Sequence, residues 1–292
     1  MPTRLRGLLY GHGHMGRHHA RRLQERSDVE LRVVDPAQGL PAPVRPEADF
    51  AVVATPTGTH AAVAGPLLAA GIPTLVEKPL SGDLDEARTL AAFDRVCVGH
   101  IERWNPALRA VASVRPRFVE AERLAVWPAP EQPGGRGTDV DVLADLMLHD
   151  LDLALRFLPG PVHEVRAVGV GVLSGRPDIA KARLELGGGV ADLTASRVSQ
   201  GPSRRLRLVS DGEYWSVDLL AARVTRVRWG TGALQGEPIP VPPGDALVSQ
   251  LDAFLTAVRT GGPMPVPGTE AVRVLEVVAT VRAALARAPT AA

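Results

Sequence analysis

Cysteine is almost missing from this chain. One thiol, Cys97, in 292 residues excludes an internal disulfide, and its setting in Val96-Cys97-Val98 marks it as a buried group suited to a reducing cytoplasm. Charge of one sign is lacking too. Lys and Arg number 33 against 32 Asp and Glu, so no broad field is available to hold DNA, RNA or an anionic membrane surface. Long apolar runs are absent: residues 1–6 lead into a strand-like segment without an apolar leader, and no segment has the roughly 18 uninterrupted apolar residues of a membrane span. Export and membrane insertion are therefore not expected. Nor is there an internal repeat.

What is present is an ordinary globular composition, 45% hydrophobic and 22% charged, long enough for two modest cores. The first third alternates short apolar runs with helical stretches, the pattern of parallel strands joined by crossover helices. Strands are expected at 5–10, 29–34, 50–54, 74–76 and 96–98, and helices at 14–25, 60–70 and 83–93, with Gly71 closing the second helix. After about residue 118 the alternation becomes strict, with Ala182, Leu184 and Leu186 on one face and Arg183 and Glu185 on the other. Gly187-Gly188-Gly189 and Asp211-Gly212 supply hairpin turns, and 204–209, 213–219 and 223–229 continue the strands. Helical patterns run over 139–157, from Leu247 through Leu251, Phe254, Leu255 and Val258 to Gly261-Gly262-Pro263, and over 269–286, while 41–46 and 127–137 read as Pro/Gly-rich loops. The expected fold class is α/β: a Rossmann-type doubly wound parallel sheet over 1–118, then an α+β domain with a largely antiparallel open sheet over 119–292.

Gly11-His12-Gly13-His14-Met15-Gly16 follows a strand and opens a helix, the context that gives this spacing its meaning. The first glycine permits a tight turn, the second lets backbone approach a pyrophosphate, and the third lets helix and strand pack closely, with the helix N-terminus facing the negative charge. Asp35 ends the second strand nineteen residues past Gly16, where a carboxylate accepts the adenosine ribose hydroxyls and repels a 2′-phosphate. NAD is thus favoured over NADP. The alternative is a glycine turn in a nucleotide-free α/β domain. Four imidazoles, His12, His14, His18 and His19, invite a metal, but they straddle a phosphate loop with no acidic or thiolate ligand, so no metal is expected. Only thirteen residues, four of them proline, separate Asp35 from Asp49. A parallel crossover needs a dozen or more residues and a helix. The third strand is therefore expected to be short or lost, its helix absent, and the adenine-side wall thin.

The glycine loop, Ala54-Thr55-Pro56-Thr57 with His60, Glu77-Lys78-Pro79, and Asp145-Leu146-Met147-Leu148-His149-Asp150 occur in an order and spacing that resemble the Gfo/Idh/MocA oxidoreductase family over nearly the whole chain. Helix 250–262, Pro265-Val266 and a final helix match its C-terminal pattern. The resemblance implies cofactor contacts from Thr55, Pro56, Thr57, His60, Glu77 and Lys78, beside those of the glycine loop and Asp35. It places Lys78 by the nicotinamide and the reacting hydroxyl, where an ammonium can hold a developing alkoxide while Pro79 fixes the local backbone. It makes Asp145 and His149 the catalytic pair. Being four apart, they share a helix face; His149 can take the hydroxyl proton and Asp145 can orient the ring, the alternative being a surface ion pair. Asp150 and Asp152 are read as capping, substrate-binding or solvated.

A finer resemblance lies in Val98-Gly99-His100-Ile101-Glu102-Arg103-Trp104-Asn105-Pro106 and in 141–152, which look like the branch that oxidises UDP-N-acetylglucosamine at C3 and related nucleotide-sugar dehydrogenases. Arg103 and Asn105 are then expected at the substrate cleft, Arg103 suiting a diphosphate or carboxylate, with a structural salt bridge as the alternative. Arg136, in the loop 127–137, is a further candidate for the sugar or nucleotide cleft. The leading expectation is an NAD-dependent dehydrogenase acting on a secondary alcohol of a sugar or nucleotide sugar. The alternatives are a cyclitol or free-sugar dehydrogenase, a bilin-type reductase, and a non-catalytic NAD-binding sensor. By resemblance the protein is expected to be a homodimer or homotetramer whose sheet packs on a second subunit.

Overall fold

A computed structural model describes residues 4–42, 47–127 and 141–287. The chain forms two units, one of Met1–Ile101 with Asp245–Arg273, the other of Glu102–Gly244 with Val274–Ala292. The first unit begins with β1 (Leu5–Tyr10), α1 (His14–Gln24), β2 (Val29–Val34), β3 (Phe50–Val53), α2 (His60–Ala69), β4 (Thr74–Glu77), α3 (Leu84–Ala91) and β5 (Val96–Gly99). The five strands form one parallel sheet in the order β2-β1-β3-β4-β5. β3, β4 and β5 are buried along their whole length, as continuous apolar runs covered on both faces should be. β2, at one edge of the sheet, alternates, with Glu30 and Arg32 exposed. The order reverses between β1 and β3, and the loops that leave these two strands are the glycine loop and Ala54–Thr57. This is the switch point at which open α/β sheets bind ligands.

The expected loss of a strand and helix after β2 is met. Among the described residues the β2–β3 connection holds only a 3-10 turn, Pro36–Gln38, closed by Gly39 at φ 75°. Arg6, Glu30, Leu31, Arg32 and Glu47 line a shallow depression of about 320 Å³ at that edge. Over β1 the space is filled from within the sheet: a Cβ on Gly7 would lie 2.3 Å from the Phe50 ring.

The second unit opens with the one-turn helix α4 (Pro106–Ala110), then β6 (Phe118–Leu124), a π-helical turn Leu143–Met147, α5 (Leu148–Phe157) and seven strands. The seven are β7 (Val162–Val170), β8 (Ile179–Leu186), β9 (Gly189–Ser196), β10 (Ser203–Ser210), β11 (Glu213–Asp218), β12 (Arg223–Trp229) and β13 (Leu234–Ile239). With β6 they make an eight-stranded sheet, β13-β12-β11-β10-β6-β9-β8-β7, antiparallel except where β6 lies parallel to β9. One face carries Ala182, Leu184, Leu193, Leu206 and Leu208 in a core shared with Leu143, Met147, Leu151 and Val278. Each fully buried Leu contributes roughly 1.5–3 kcal/mol. The other face pairs charges across strands, Arg207 with Glu120 at 3.2 Å and Arg183 with Asp192 at 3.4 Å. The turn after β7 is gathered by Asp178, which accepts the N–H groups of Val172, Leu173 and Ser174 at 2.6–2.9 Å and the Arg197 guanidinium at 3.0 Å. Burial alone would raise its carboxyl, but the Ser174 hydroxyl and the three backbone N–H groups outweigh it and hold Asp178 well below the usual carboxylate range.

Two helices complete the chain, α6 (Ala246–Thr260) and α7 (Gly268–Arg287). A single division at residue 118 does not describe this arrangement, because 245–273 returns to the parallel sheet. Phe254 of α6 meets Phe50 edge to face with centroids 6.0 Å apart, Arg22 binds Asp245 at 2.6 Å, Arg26 pairs with Asp252, and the Val98 N–H donates to the Val266 carbonyl at 2.9 Å. Helical periodicity showed that α6 has an apolar face but not which sheet it covers. Among the described residues no helix is long and apolar enough to cross a membrane.

Candidate functional site

In the first unit the glycine loop has the geometry its sequence requires. Gly11 adopts φ 90°, and a Cβ there would stand 2.6 Å from the Ala54 carbonyl. A Cβ on Gly16 would stand 2.0 Å from the Gly11 carbonyl, whereas one on Gly13 would meet nothing within 4 Å. Gly13 is the N-cap of α1, supplies no side-chain acceptor, and no acidic residue follows in the first turn. The N-terminus of α1 and its dipole thus face open space at Gly13, which fits the pyrophosphate of a dinucleotide. At the end of β2, Asp35 accepts the backbone N–H of His12 at 2.7 Å and the Gln38 amide at 2.9 Å, so its carboxylate is fixed beside the loop. His14 is exposed at the start of α1 with its ring 4.9 Å edge-on from His18, and Met15 is partly buried. His19 departs from the histidine cluster. It is fully buried, and its Nε2 donates to Glu77 Oε1 at 2.7 Å.

The next two loops of this unit are tied together by His60. Its Nδ1 lies 2.9 Å from the Pro79 carbonyl and its Nε2 3.0 Å from the Thr55 carbonyl, so one ring spans Thr55-Pro56-Thr57 and the Lys78-Pro79 segment. His60 is 1% exposed. This corrects the expectation of a direct cofactor contact: both ring nitrogens are engaged by backbone, and the side chain acts by holding the loops. Glu77 is corrected for the same reason, since its carboxylate is turned to His19 and a Cβ on Gly99 would approach it to 3.0 Å. Lys78 itself is partly exposed at the end of β4, before a cis peptide to Pro79. The first unit therefore brings together the glycine loop, Asp35, Thr55–Thr57 and the Lys78 loop at one end of the sheet.

Asp145 and His149 belong to the second unit. The Asp141 side chain accepts the Ala144 N–H at 2.9 Å and the Arg282 guanidinium at 2.9 Å, starting the helical segment. Asp145 stands in the π turn and His149 in the first turn of α5. A π turn advances slightly more than four residues, so the two remain on one side, and both are partly exposed while Leu143, Met147, Leu148 and Leu151 are buried. Single π turns of this kind are frequent at functional sites.

Behind this segment is an ion network the sequence did not disclose. Arg123 of β6 grips Asp150 through Nε at 3.1 Å and Nη2 at 2.8 Å, and its Nη1 donates to Glu102 at 2.8 Å. Glu102 also receives Arg204 at 3.0 Å. Burial opposes the Arg123 charge, but two carboxylates overcome it and push its pKa up. Burial likewise opposes charge on Glu102, yet Arg123 and Arg204 hold its pKa down; at Asp150 burial dominates and the pKa is raised. Arg103 closes on Asp152 through Nε at 2.8 Å and Nη2 at 2.5 Å. Its expected role at a substrate is thereby corrected to the salt-bridge alternative, for the carboxylate already takes its fork. Asn105 is corrected as well: it caps α4 by accepting the Ala107 N–H at 3.0 Å and donates to the Leu219 carbonyl at 3.0 Å. Asp150 and Asp152 are buried ion-pair partners, not solvated caps. Arg136 lies outside the described residues. Glu102 and Arg123 were missed because a charged residue at a core-facing strand position is visible only once its partner is known.

Residues 14–95 match the family described as "Oxidoreductase family, NAD-binding Rossmann fold", and residues 110–213 match the GFO/IDH/MocA C-terminal domain. UDP-N-acetylglucosamine 3-dehydrogenase of Acidithiobacillus ferrooxidans is 35% identical, the match covering 96% of this chain and 97% of that protein. A solved structure of UDP-N-acetylglucosamine 3-dehydrogenase from that organism superposes with a TM-score of 0.85 at 33% identity, over 97% of both chains. The rhizopine catabolism protein MocA of Rhizobium meliloti is 26% identical over 94% of this chain and 93% of its own length. With the glycine loop of the parallel sheet and the mostly antiparallel sheet of the second unit, these matches establish that the chain belongs to the Gfo/Idh/MocA family of oxidoreductases, built on an NAD-binding Rossmann domain.

Proposed function

We propose that the protein oxidises a secondary alcohol on a nucleotide-linked sugar. The observation that carries this reading is the nearly full-length likeness to a UDP-N-acetylglucosamine 3-dehydrogenase. Bound NAD supplies the acceptor for the hydride that leaves the carbinol carbon. Gly11, Gly13 and Gly16 with the α1 N-terminus hold its pyrophosphate, and Asp35 holds its adenosine ribose. The Lys78 ammonium binds the substrate oxygen and stabilises the charge that grows on it. His149 accepts the hydroxyl proton as the carbonyl forms, and Asp145 orients the imidazole and shares its positive charge. Composition supports a special part for Lys78: of 33 basic residues only Lys78 and Lys181 are lysines. An ammonium differs from a guanidinium in being compact and able to give up its proton.

For the assembly, a second copy of the chain is assigned to the open face and edges of the eight-stranded sheet. Val168 and Val170 of β7 and Trp229 of β12 are exposed there. The experiment is NADH formation with a panel of UDP-sugars, inositols and free aldoses, on wild type and Lys78→Ala. Expected are turnover of a UDP-sugar and a loss of at least about a hundredfold in kcat in the variant, with unchanged Tm. Turnover confined to an inositol would replace the substrate class; a fully active variant removes Lys78 from the chemistry.

A further inference from the structure

We propose that the second unit carries an anion pocket of its own, one that takes a phosphate group, free or as an ester, outside the residues assigned to chemistry. Between α4 and the C-terminal half of α5 is a cavity of about 330 Å³. Four guanidinium-bearing residues line it, Arg103, Arg109, Arg115 and Arg156, over an apolar base that includes Leu108 and Phe157. No Asp or Glu is among its lining residues, and neither Asp145 nor His149 reaches it.

Arg109, Arg115 and Arg156 face no carboxylate among the described residues, in a chain that is otherwise balanced, 33 basic against 32 acidic residues. Arg103 is held in place by Asp152, whose carboxylate is buried and fully used. Arg115 is held by the carbonyls of Ala112 and Val114 at 3.2 and 3.1 Å, which fix the side chain without neutralising it. The side chains of Arg109 and Arg156 make no ion pair or hydrogen bond among the described residues, unlike Arg117, Arg166 or Arg183, which are also on the surface yet each face a carboxylate. Each of the two sits in the last turn of its helix, α4 or α5, where the dipole favours a cation by roughly 0.3–1 kcal/mol. That accounts for either one alone. It does not account for two helix ends delivering like charges to one concave surface that already contains Arg115, an arrangement that costs energy until an anion fills it. Guanidinium forks match the oxygens of phosphate in bidentate fashion. The volume lies at the low end of ligand pockets, which suits a phosphate or a small phosphate ester. Because Arg103 belongs both to the pocket and to the Asp152 clamp on α5, occupancy also bears on the helix that carries His149.

The test is titration of NAD-saturated protein with inorganic phosphate, with a sugar 1-phosphate and, at matched ionic strength, with chloride, read by Tm and by calorimetry. NAD keeps the glycine loop occupied, and the comparison is wild type with Arg109→Gln/Arg156→Gln, two exposed positions. Phosphate or its ester is expected to raise Tm of the wild type where chloride does not, with at least a tenfold weaker Kd in the double variant. The tighter of the two ligands names the source. Equal binding by wild type and variant, a shift matched by chloride, or no binding to wild type overturns the pocket. Dehydrogenase turnover enters none of these readouts, so failure of the proposed reaction leaves the result distinguishable.

Discussion

Between Gly11 and Gly16 the backbone makes the site, whereas Asp145 and His149 stand on a helix gripped from behind by arginines. In the first case the requirement is absence: no Cβ at 11 or 16, where carbonyls lie 2.6 and 2.0 Å away, and open space at 13. In the second it is presence, since Asp150 and Asp152 are buried only because Arg123 and Arg103 neutralise them. At 11 and 16 such a loop tolerates no added atom. A helix defined by charge pairs tolerates no lost partner.

The most severe break in this comparison is expected at Gly16→Ala. Its Cβ meets backbone, which cannot yield, so about 4 kcal/mol or more should be lost together with NAD binding, measured by denaturant unfolding and NAD titration. Gly13→Ala should unfold like wild type and weaken NAD about tenfold; undiminished affinity would show that the pyrophosphate lies elsewhere. Next is Arg123→Met, which strands Glu102 and Asp150 without their shared cation and should cost about 3–5 kcal/mol. Adding Asp150→Leu should recover part of that cost, and a larger loss in the double variant would contradict the clamp.

Acid sharpens the same contrast. Glu102 and Asp178 have lowered pKa values, so the stability they contribute is present above the unfolded carboxylate range and lost as pH falls through it. Asp150 is raised and contributes in the opposite sense, its share being present at low pH and lost as pH rises through its folded value. Two lowered groups against one predict a Tm that falls between about pH 5 and pH 3. Asp178→Asn should flatten that fall, and an unchanged slope would remove Asp178 from it. The smallest effect is expected at Asp35→Ser, which leaves the fold intact and narrows the preference for NAD over NADP by about tenfold, read from the two Kd values.

The parallel sheet was legible because its strands are short apolar runs between glycine and helix signals, and the lost crossover was legible from four prolines in thirteen residues. β6, β7, β9 and β13 were given no bounds, and two of them, β7 and β13, are edge strands. β13, with Gly236 and Pro238, is exposed along nearly all its length, and the outer half of β7 is open on both faces, so neither keeps the alternation a half-buried strand imposes. Among the candidate residues, Lys78, Asp145, His149 and the glycines were nameable from motif spacing. His60, Glu77, Arg103 and Asn105 were named but misassigned, because sequence shows a polar side chain and not the carbonyl or carboxylate that already satisfies it. His19 was seen only as one of four imidazoles; its partner is 58 residues away.

The π turn at Leu143–Met147 makes the segment sensitive to chain length rather than to residue type. Deleting one residue between Asp145 and His149 would let the backbone relax into uninterrupted α-helix and bring the pair to a spacing of three. Asp145 would stay on the side that His149 occupies, but at a different offset along the axis. Substitution in this stretch leaves that offset alone, while a one-residue deletion resets it in a single event.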